Sequence, residues 1–273
     1  MLTRRIPSTG EAIPAVGLGT WRAFMIDPDN QPKLRQLEEV TRIFFDSGGR
    51  LIDTAPAYGN AEEVVGRIST NLGIGKELFI ATKVSTPGDE HAVQQMDSSF
   101  AKLRRERIDL MQIHNLADWQ KTLPMVRNGK QQGRFRYIGV THMSPQRFED
   151  LERIVRDENV DFIQLPYSVG AREVETRLIP AARDSGVAIL VMRPFDGGNL
   201  FERTRDKPVP DSVKPWADSW AAAFLKWILA NEAITAVLPA TSKPAHLREN
   251  VQSGFGRLPD ADERAGFVKL LEL

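Results

Sequence analysis

Along this chain, short unbroken apolar runs alternate with longer stretches in which apolar residues recur every third or fourth position. The runs are VGLGT (16–20), LIDTA (51–55), LFIATKV (78–84), IDLMQIH (108–114), FRYIGV (135–140), DFIQLPY (161–167), VAILVM (187–192) and TAVLPA (235–240). Each is five to seven residues long, without strict polar alternation. Such runs predict strands covered on both faces. The stretches between them predict helices. Leu34, Leu37, Val40, Ile43 and Phe44 form one stripe, and Val64, Val65, Ile68 and Leu72 a second. Val93, Met96, Phe100 and Leu103 form a third. Ser144–Pro145 opens a helix carrying Phe148, Leu151, Ile154 and Val155. Further helices are predicted over about 173–185, over about 215–230 (Trp220, Phe224, Leu225, Ile228, Leu229), from Pro244 to Val251, and over about 260–272 (Phe267, Leu270). The punctuation agrees: Pro32 suits a first turn, and Gly48–Gly49, Gly73 and Gly186 stop helices. Asn60, with Glu63 three residues later, has the spacing of a capping box.

Strands alternating with helices imply an α/β architecture with a parallel sheet, and eight such units close a (βα)8 TIM barrel. Ahead of the first barrel strand, Pro7, Gly10 and Pro14 surround a turn with Ile6 and Ile13 on either side, which predicts a short N-terminal β-hairpin. No linker or compositional shift divides residues 1–273, so one barrel domain is expected. The rhythm breaks at a polar loop, about 195–214, containing Gly197, Gly198 and several prolines. Its length marks it as a functional segment on the barrel rim.

Composition narrows the partners. Lys+Arg and Asp+Glu both number 36, so the chain lacks the basic field that nucleic-acid binding needs. The cluster KLRRER (102–107) mixes with acids and reads as a solvated helix end. Absence of cysteine excludes disulfides, thiol catalysis and thiolate metal sites. No apolar run is long enough to span a membrane, and MLTRRIPSTGE lacks the apolar stretch of a signal peptide. A cytoplasmic monomer acting on a small molecule is expected.

Three strand tips carry unlike polar groups. Asp53, Lys83 and His114 lie 30 and 31 residues apart, one strand–helix unit each, and Tyr58 follows Asp53 by five. Enzymes built on parallel βα barrels keep their chemistry on that rim. Singly, each residue has a plain explanation: a strand-end Asp can cap a helix, and a rim Lys can neutralise it. Together they suit acid–base work. A phenol ionises near pH 10, a nearby ammonium favours the phenolate, and a carboxylate beside the ammonium positions it and keeps it charged. Tyr58 is therefore expected to be acidified and to protonate a substrate oxygen, with His114 donating a second hydrogen bond to the same atom. Proton donation to a carbonyl, with hydride arriving from elsewhere, fits these parts. His91, His142 and His246 are scattered without metal-ligand spacing, so no metal is expected. Trp220 and Trp227, seven residues apart on one helix face, read as core. Gly17-x-Gly19 lacks the third glycine of a dinucleotide fingerprint. TSKP (241–244) opens a helix after the last strand and can offer backbone N–H groups to a phosphate.

On these residues the chain resembles the aldo-keto reductases over nearly its full length. GLGTW (17–21), IDTAPAYGNAEEVVG (52–66), ATK (81–83), IH (113–114), IGVTH (138–142), IQLPYS (163–168) and LPATSKPAHLREN (238–250) fall in that family's order and spacing. The resemblance implies a (βα)8 barrel, NADPH-dependent reduction of aldehydes or ketones to alcohols, and a tetrad of Tyr58, Asp53, Lys83 and His114 with Tyr58 as proton donor. It also implies Trp21 at the substrate pocket and Thr141, His142 and Gln164 on the nicotinamide carboxamide. Thr241, Ser242, Lys243, His246, Glu249 and Asn250 fall along its phosphate segment.

Several positions depart from the family pattern. Thr141–His142 stands where Ser–Asn is usual. VMRPFDGG (191–198) puts Met192 or Arg193 where an aromatic residue commonly stacks on the nicotinamide. His246 replaces the arginine that grips the 2′-phosphate, with Lys243 or Arg248 able to compensate, so NADH is a possible alternative to NADPH. The chain ends soon after the last helix, so an open site and loose selectivity are expected. Two other readings remain: a barrel lyase or aldolase forming a Schiff base on Lys83, disfavoured by the adjacent Asp53, and a non-catalytic sensor that holds the cofactor.

Overall fold

The computed structural model describes residues 1–86 and 90–272. Strands β1 (Thr3–Arg5) and β2 (Ala12–Pro14) form an antiparallel hairpin, with Arg4 opposite Ile13. Eight further strands follow: β3 (Leu18–Gly19), β4 (Leu51–Asp53), β5 (Phe79–Val84), β6 (Ile108–His114), β7 (Phe135–Thr141), β8 (Phe162–Pro166), β9 (Ala188–Met192) and β10 (Ile234–Val237). Each pairs in parallel with the next in sequence. Parallel bridges Val16–Val237 and Gly19–Ala240 bring the first of them against the last. The sheet is thus curled as a (βα)8 arrangement requires. The approach is close enough that a Cβ on Gly19 would lie 3.0 Å from the Leu238 carbonyl oxygen.

The helices are α1 (Gln31–Asp46), α2 (Ala61–Asn71), α3 (Glu90–Leu103), α4 (Trp119–Gln131), α5 (Phe148–Asp157), α6 (Leu178–Asp184), α7 (Asn199–Arg203), α8 (Trp220–Leu229), α9 (Pro244–Gln252) and α10 (Ala261–Leu270). Strands buried on both faces must fill two cores, and two are found. Leu51, Phe79, Ala81, Leu110, Tyr137, Phe162, Leu190 and Leu238 pack inside the curled sheet together with Ile6 and Ile13 of the hairpin. The alternate strand residues, among them Ile52, Ile80, Met111, Ile138, Ile163 and Val191, pack outward against the helices. The hairpin lies over the end of the sheet where the strands begin: Tyr137 and Arg136 both donate to the Glu11 carboxylate, and the Thr9 hydroxyl lies 2.8 Å from that of Tyr137.

The elements depart from the sequence expectations in six places. The helix expected over about 173–185 is a 3-10 turn, Glu173–Glu175, followed by α6, and the one expected over about 215–230 begins only at Trp220. Asn60 precedes α2 but its side chain makes no cap bond; it donates to the Ile26 carbonyl, and Glu63 pairs with Arg67, so no capping box forms. The buried face of α3 is Ala92, Met96, Ser99 and Leu103, while Val93 is 39% exposed. In α10, Phe267 is buried and Leu270 is exposed. The segment 195–214 holds a 3-10 turn, Asp196–Gly198, and α7. Trp227 is buried as expected, its indole donating to the Arg264 carbonyl.

Candidate active site

Side chains alternate between the faces of a strand, and that rule selects the residues of the mouth. The inward series that begins with Leu51, Phe79, Leu110, Tyr137, Phe162 and Leu190 continues toward the C-terminal tips as Asp53, Lys83, Gln112 then His114, Thr141, Gln164 and Met192. Strand register sets the partners: Lys83 stands opposite Gln112, His114 opposite Thr141, and Thr141 opposite Gln164.

Asp53 is the hub. Lys83 Nζ donates to Asp53 Oδ2 at 2.7 Å and to the Thr54 carbonyl at 2.8 Å. The amide groups of Gln112 and Gln164 donate to Asp53 Oδ1 at 3.2 and 2.8 Å. An ionised carboxylate only accepts, so both amides must turn their NH2 groups toward it. The Gln164 carbonyl oxygen is then left facing Thr141, and the Gln112 carbonyl oxygen is buried without a partner. From the other side, Thr20 donates to the Asp53 carbonyl through both its backbone N–H and its hydroxyl, at 3.1 and 2.9 Å. Lys83 is fully buried, which by itself would discharge it. The charges of Asp53 and Tyr58 outweigh burial, and the ammonium titrates above its ordinary range.

Tyr58 lies in the turn before α2, its backbone N–H bonded to the Ala55 carbonyl. Lys83 Nζ is 4.9 Å from its ring centroid, and the His114 ring stands edge-on to it at 5.9 Å. The phenol is not acidified. Burial pushes its pKa up, Lys83 pulls it down, and Asp53 pushes it up again, for a net rise. The sequence argument counted the ammonium's field but not the opposing field of the carboxylate that holds it. His114 is shifted the other way: burial, then the Lys83 charge, lower its imidazole to about 4. The ring is therefore neutral at physiological pH, with Nδ1 2.8 Å from the Ser85 hydroxyl.

These groups open into a cavity of about 690 Å3. Of the residues singled out in the sequence, Trp21, Asp53, Tyr58, His114, Thr141, Gln164, Met192, Arg193, Thr241, Ser242, Lys243 and His246 line it. Lys83 does not; it sits behind the lining, against Asp53. His142 is also outside it, its Nδ1 accepting from the Ser144 N–H at 3.0 Å. Asn250 is buried and Glu249 exposed on α9, neither on the cavity wall. At the start of α9, Lys243 occupies the N-cap without a side-chain cap bond. The Thr241 hydroxyl accepts from the Lys243 N–H, and Gln36 ties the Ser242 carbonyl to α1. Arg193 has φ 54°, and a Cβ on Gly197 would fall 2.7 Å from its guanidinium, so the Gly197 turn leaves room for it. Among the described residues, no group of three His, Cys, Asp or Glu could hold a metal ion.

Sequence reasoning missed Gln112, Thr20, Ser85 and the lining residues Arg22, Met143 and Phe201. Gln112 was legible, since it precedes His114 by two and so shares its face. Ser85 and Met143 sit in loops where no period applies, and Phe201 lies on α7, a helix of five residues inside the segment read as a loop.

A sequence model of the aldo/keto reductase family matches residues 15–265. The chain is 29% identical to Aldo-keto reductase YhdN of Bacillus subtilis (strain 168) over 201 residues, 68% of this chain and 60% of that protein. It is 26% identical to the NADH-specific methylglyoxal reductase of Escherichia coli (strain K12), with 95% of this chain and 96% of that protein aligned. The crystal structure of an aldo/keto reductase from Klebsiella pneumoniae in complex with NADP and acetate shares the fold, with a TM-score of 0.80 at 22% identity, covering 98% of this chain and 95% of that one. The residues matched run through nearly all of the curled sheet and its helices, and the chain belongs to the aldo/keto reductase family, a family of oxidoreductases.

Proposed function

We propose that this protein, a single (βα)8 barrel domain, reduces small aldehydes or ketones to alcohols with NAD(P)H, using Tyr58 as the general acid. The observation that carries the proposal is the buried Lys83–Asp53 pair set directly behind a cavity-lining phenol and imidazole. The cavity suits a dinucleotide. Lys243 and Arg193 line it with no ion-pair partner among the described residues, and the uncapped first turn of α9 offers N–H groups beside them. Lys243 and His246 would hold phosphate there. Thr141 and the Gln164 carbonyl, which accepts a long 3.5 Å bond from the Thr141 hydroxyl, would meet the carboxamide, and Met192 and Arg193 would flank the ring. A bound nicotinamide supplies the hydride.

The remaining work falls to side chains. A carbonyl oxygen between Tyr58 and His114 receives two hydrogen bonds as charge builds on it. His114 can donate from Nε2 in the tautomer whose Nδ1 accepts from the Ser85 hydroxyl. Tyr58 then releases its proton to the oxygen, and the phenolate left behind faces the Lys83 ammonium. Asp53, held by Gln112 and Gln164, keeps that ammonium in place. A Schiff-base role for Lys83 is disfavoured, because that chemistry needs a neutral amine open to the cavity. With His246 in place of arginine, preference for NADPH over NADH should be weak.

The test is fluorescence titration with NADPH and NADH, then loss of nicotinamide absorbance with a panel of aldehydes and ketones that includes methylglyoxal. Turnover with at least one is expected, with Tyr58→Phe losing about 10²–10⁴-fold in kcat while cofactor affinity is kept. Absence of turnover across the panel, or near wild-type rates for Tyr58→Phe, overturns the reading.

A further inference from the structure

The cavity wall is strongly cationic for a site that takes neutral carbonyls. Its full charges are Arg22, Arg193 and Lys243, and the one carboxylate, Asp53, is already satisfied by Lys83. Among the described residues none of the three cations has an ion-pair partner. Arg193 and Lys243 belong to the segments after β9 and β10. Arg22 does not; it rides on the loop after β3, and the loop is built to hold it. Thr20, two residues earlier, is fastened twice to the Asp53 carbonyl. Phe24, two residues later, is fully buried, and its N–H bonds back to the Thr20 carbonyl. Between these anchors Arg22 adopts φ 60°, a left-handed conformation unfavourable for a side chain of this size, and its N–H donates to the Met25 sulfur. Its guanidinium stacks on the Trp21 indole, 4.3 Å from the ring centroid. The methyl end of Met25 rests against Gly59, beside Tyr58, so this loop borders the phenol's side of the mouth.

The same rim is apolar. Trp21, Met143 and Phe201 line the cavity yet are 42%, 48% and 39% exposed, an unusual concentration of uncovered large side chains at one opening. An unpaired guanidinium lying on an indole, next to an apolar mouth, fits a ligand with an apolar body and an oxyanion at its far end.

We propose that Arg22, held on Trp21, is a subsite for an anionic tail, so that the enzyme favours carbonyl compounds carrying a carboxylate or phosphate beyond an apolar spacer. The proposal rests on the reductase reading above. An oxyanion there forms a charge-assisted, bidentate pair with the guanidinium, and the stacking on Trp21 offsets part of the entropy cost of ordering the arginine.

The test compares 4-carboxybenzaldehyde with its neutral methyl ester, methyl 4-formylbenzoate, by kcat/KM in wild type, Arg22→Gln and Arg22→Lys. The two aldehydes differ in tail charge, and electronic differences between them cancel when the ratio is compared across variants. The wild-type ratio of acid to ester is expected to fall about tenfold in Arg22→Gln, as for loss of one charge-assisted pair at an open site. Arg22→Lys should keep part of it, and raising ionic strength should lower the wild-type ratio. Cofactor affinity, read by fluorescence, should be unchanged in both variants. A ratio that does not move in Arg22→Gln overturns the proposal, and weaker NADPH binding with an unmoved ratio would assign Arg22 to the cofactor instead. If neither aldehyde is turned over by wild type while other carbonyls are, the subsite is wrong and the reductase reading stands; if no carbonyl is turned over, the reductase reading itself fails.

Discussion

Acid should destabilise this fold, and one ring carries a share that can be isolated. His114 is ordinarily half-protonated near pH 6.5, but in the folded protein burial and the Lys83 ammonium hold it at about 4. The unfolded chain therefore takes up the proton first as pH falls, and the native state loses ground across that interval. At about 1.36 kcal/mol per unit, the loss is about 2 kcal/mol by pH 5 and levels off at about 3 kcal/mol below pH 4. The perturbation is His114→Gln, which keeps a hydrogen-bonding side chain and removes the titration. Urea unfolding, followed through the five tryptophans, would be measured for both proteins at pH 7, 6, 5 and 4.5. His142, whose imidazole is also lowered by burial and Arg147, contributes in the same direction. It is common to both proteins, so the difference between them isolates residue 114. The variant should lose about 2 kcal/mol less than wild type between pH 7 and pH 5. Parallel stability curves would refute the argument and would mean that the ring is solvated, or screened from Lys83, in the folded state.

Two further perturbations test the parts that hold the site. Lys83→Met leaves the Asp53 carboxylate buried with only the two amide donors, which should cost about 3–5 kcal/mol; adding Asp53→Asn should recover more than half of it in urea unfolding, whereas additive losses would mean that the two groups do not act as a pair. Gly66→Ala places a methyl 2.0 Å from the Lys102 carbonyl oxygen at the α2–α3 contact. The helices must separate to admit it, so a loss of about 1–3 kcal/mol is expected, and an unchanged melting temperature would contradict that packing.

The fold was legible because its two signals are independent and agree. Unbroken apolar runs, buried on both faces, mark parallel strands, and the interval of about 30 residues from Asp53 to Lys83 to His114 is the length of one strand–helix unit. The site was legible where it sits on strands, since inward residues at successive tips must face one another. It was less legible in loops. Asn60 and Glu63 have capping-box spacing, yet the turn that carries Tyr58 aims Asn60 at the Ile26 carbonyl instead. Val93 and Phe100 read as one stripe with Met96, but α3 turns its small residues, Ala92 and Ser99, toward the core. The rim residues Arg22 and Phe201 have no periodic neighbour that would announce them.

The correction at Tyr58 alters how the proposed acid should work. Spacing alone suggested that an ammonium beside a phenol must lower its pKa, but the ammonium is itself buried and survives only because Asp53 accompanies it. Viewed from the phenol, the pair is close to neutral, and burial then dominates. A phenol that titrates high remains protonated across the whole physiological range, which is the form a proton donor needs. The weakness of such an acid matters little here, since the alkoxide produced by hydride addition to a carbonyl is more basic than a phenolate. In the proposed mechanism the cost falls on reversal: oxidising an alcohol would use Tyr58 as a base, and the phenolate is scarce until the solution is alkaline. In the proposed mechanism the Lys83–Asp53 pair stabilises the phenolate formed once the proton has left rather than loosening the proton beforehand, and reduction should outpace oxidation at neutral pH.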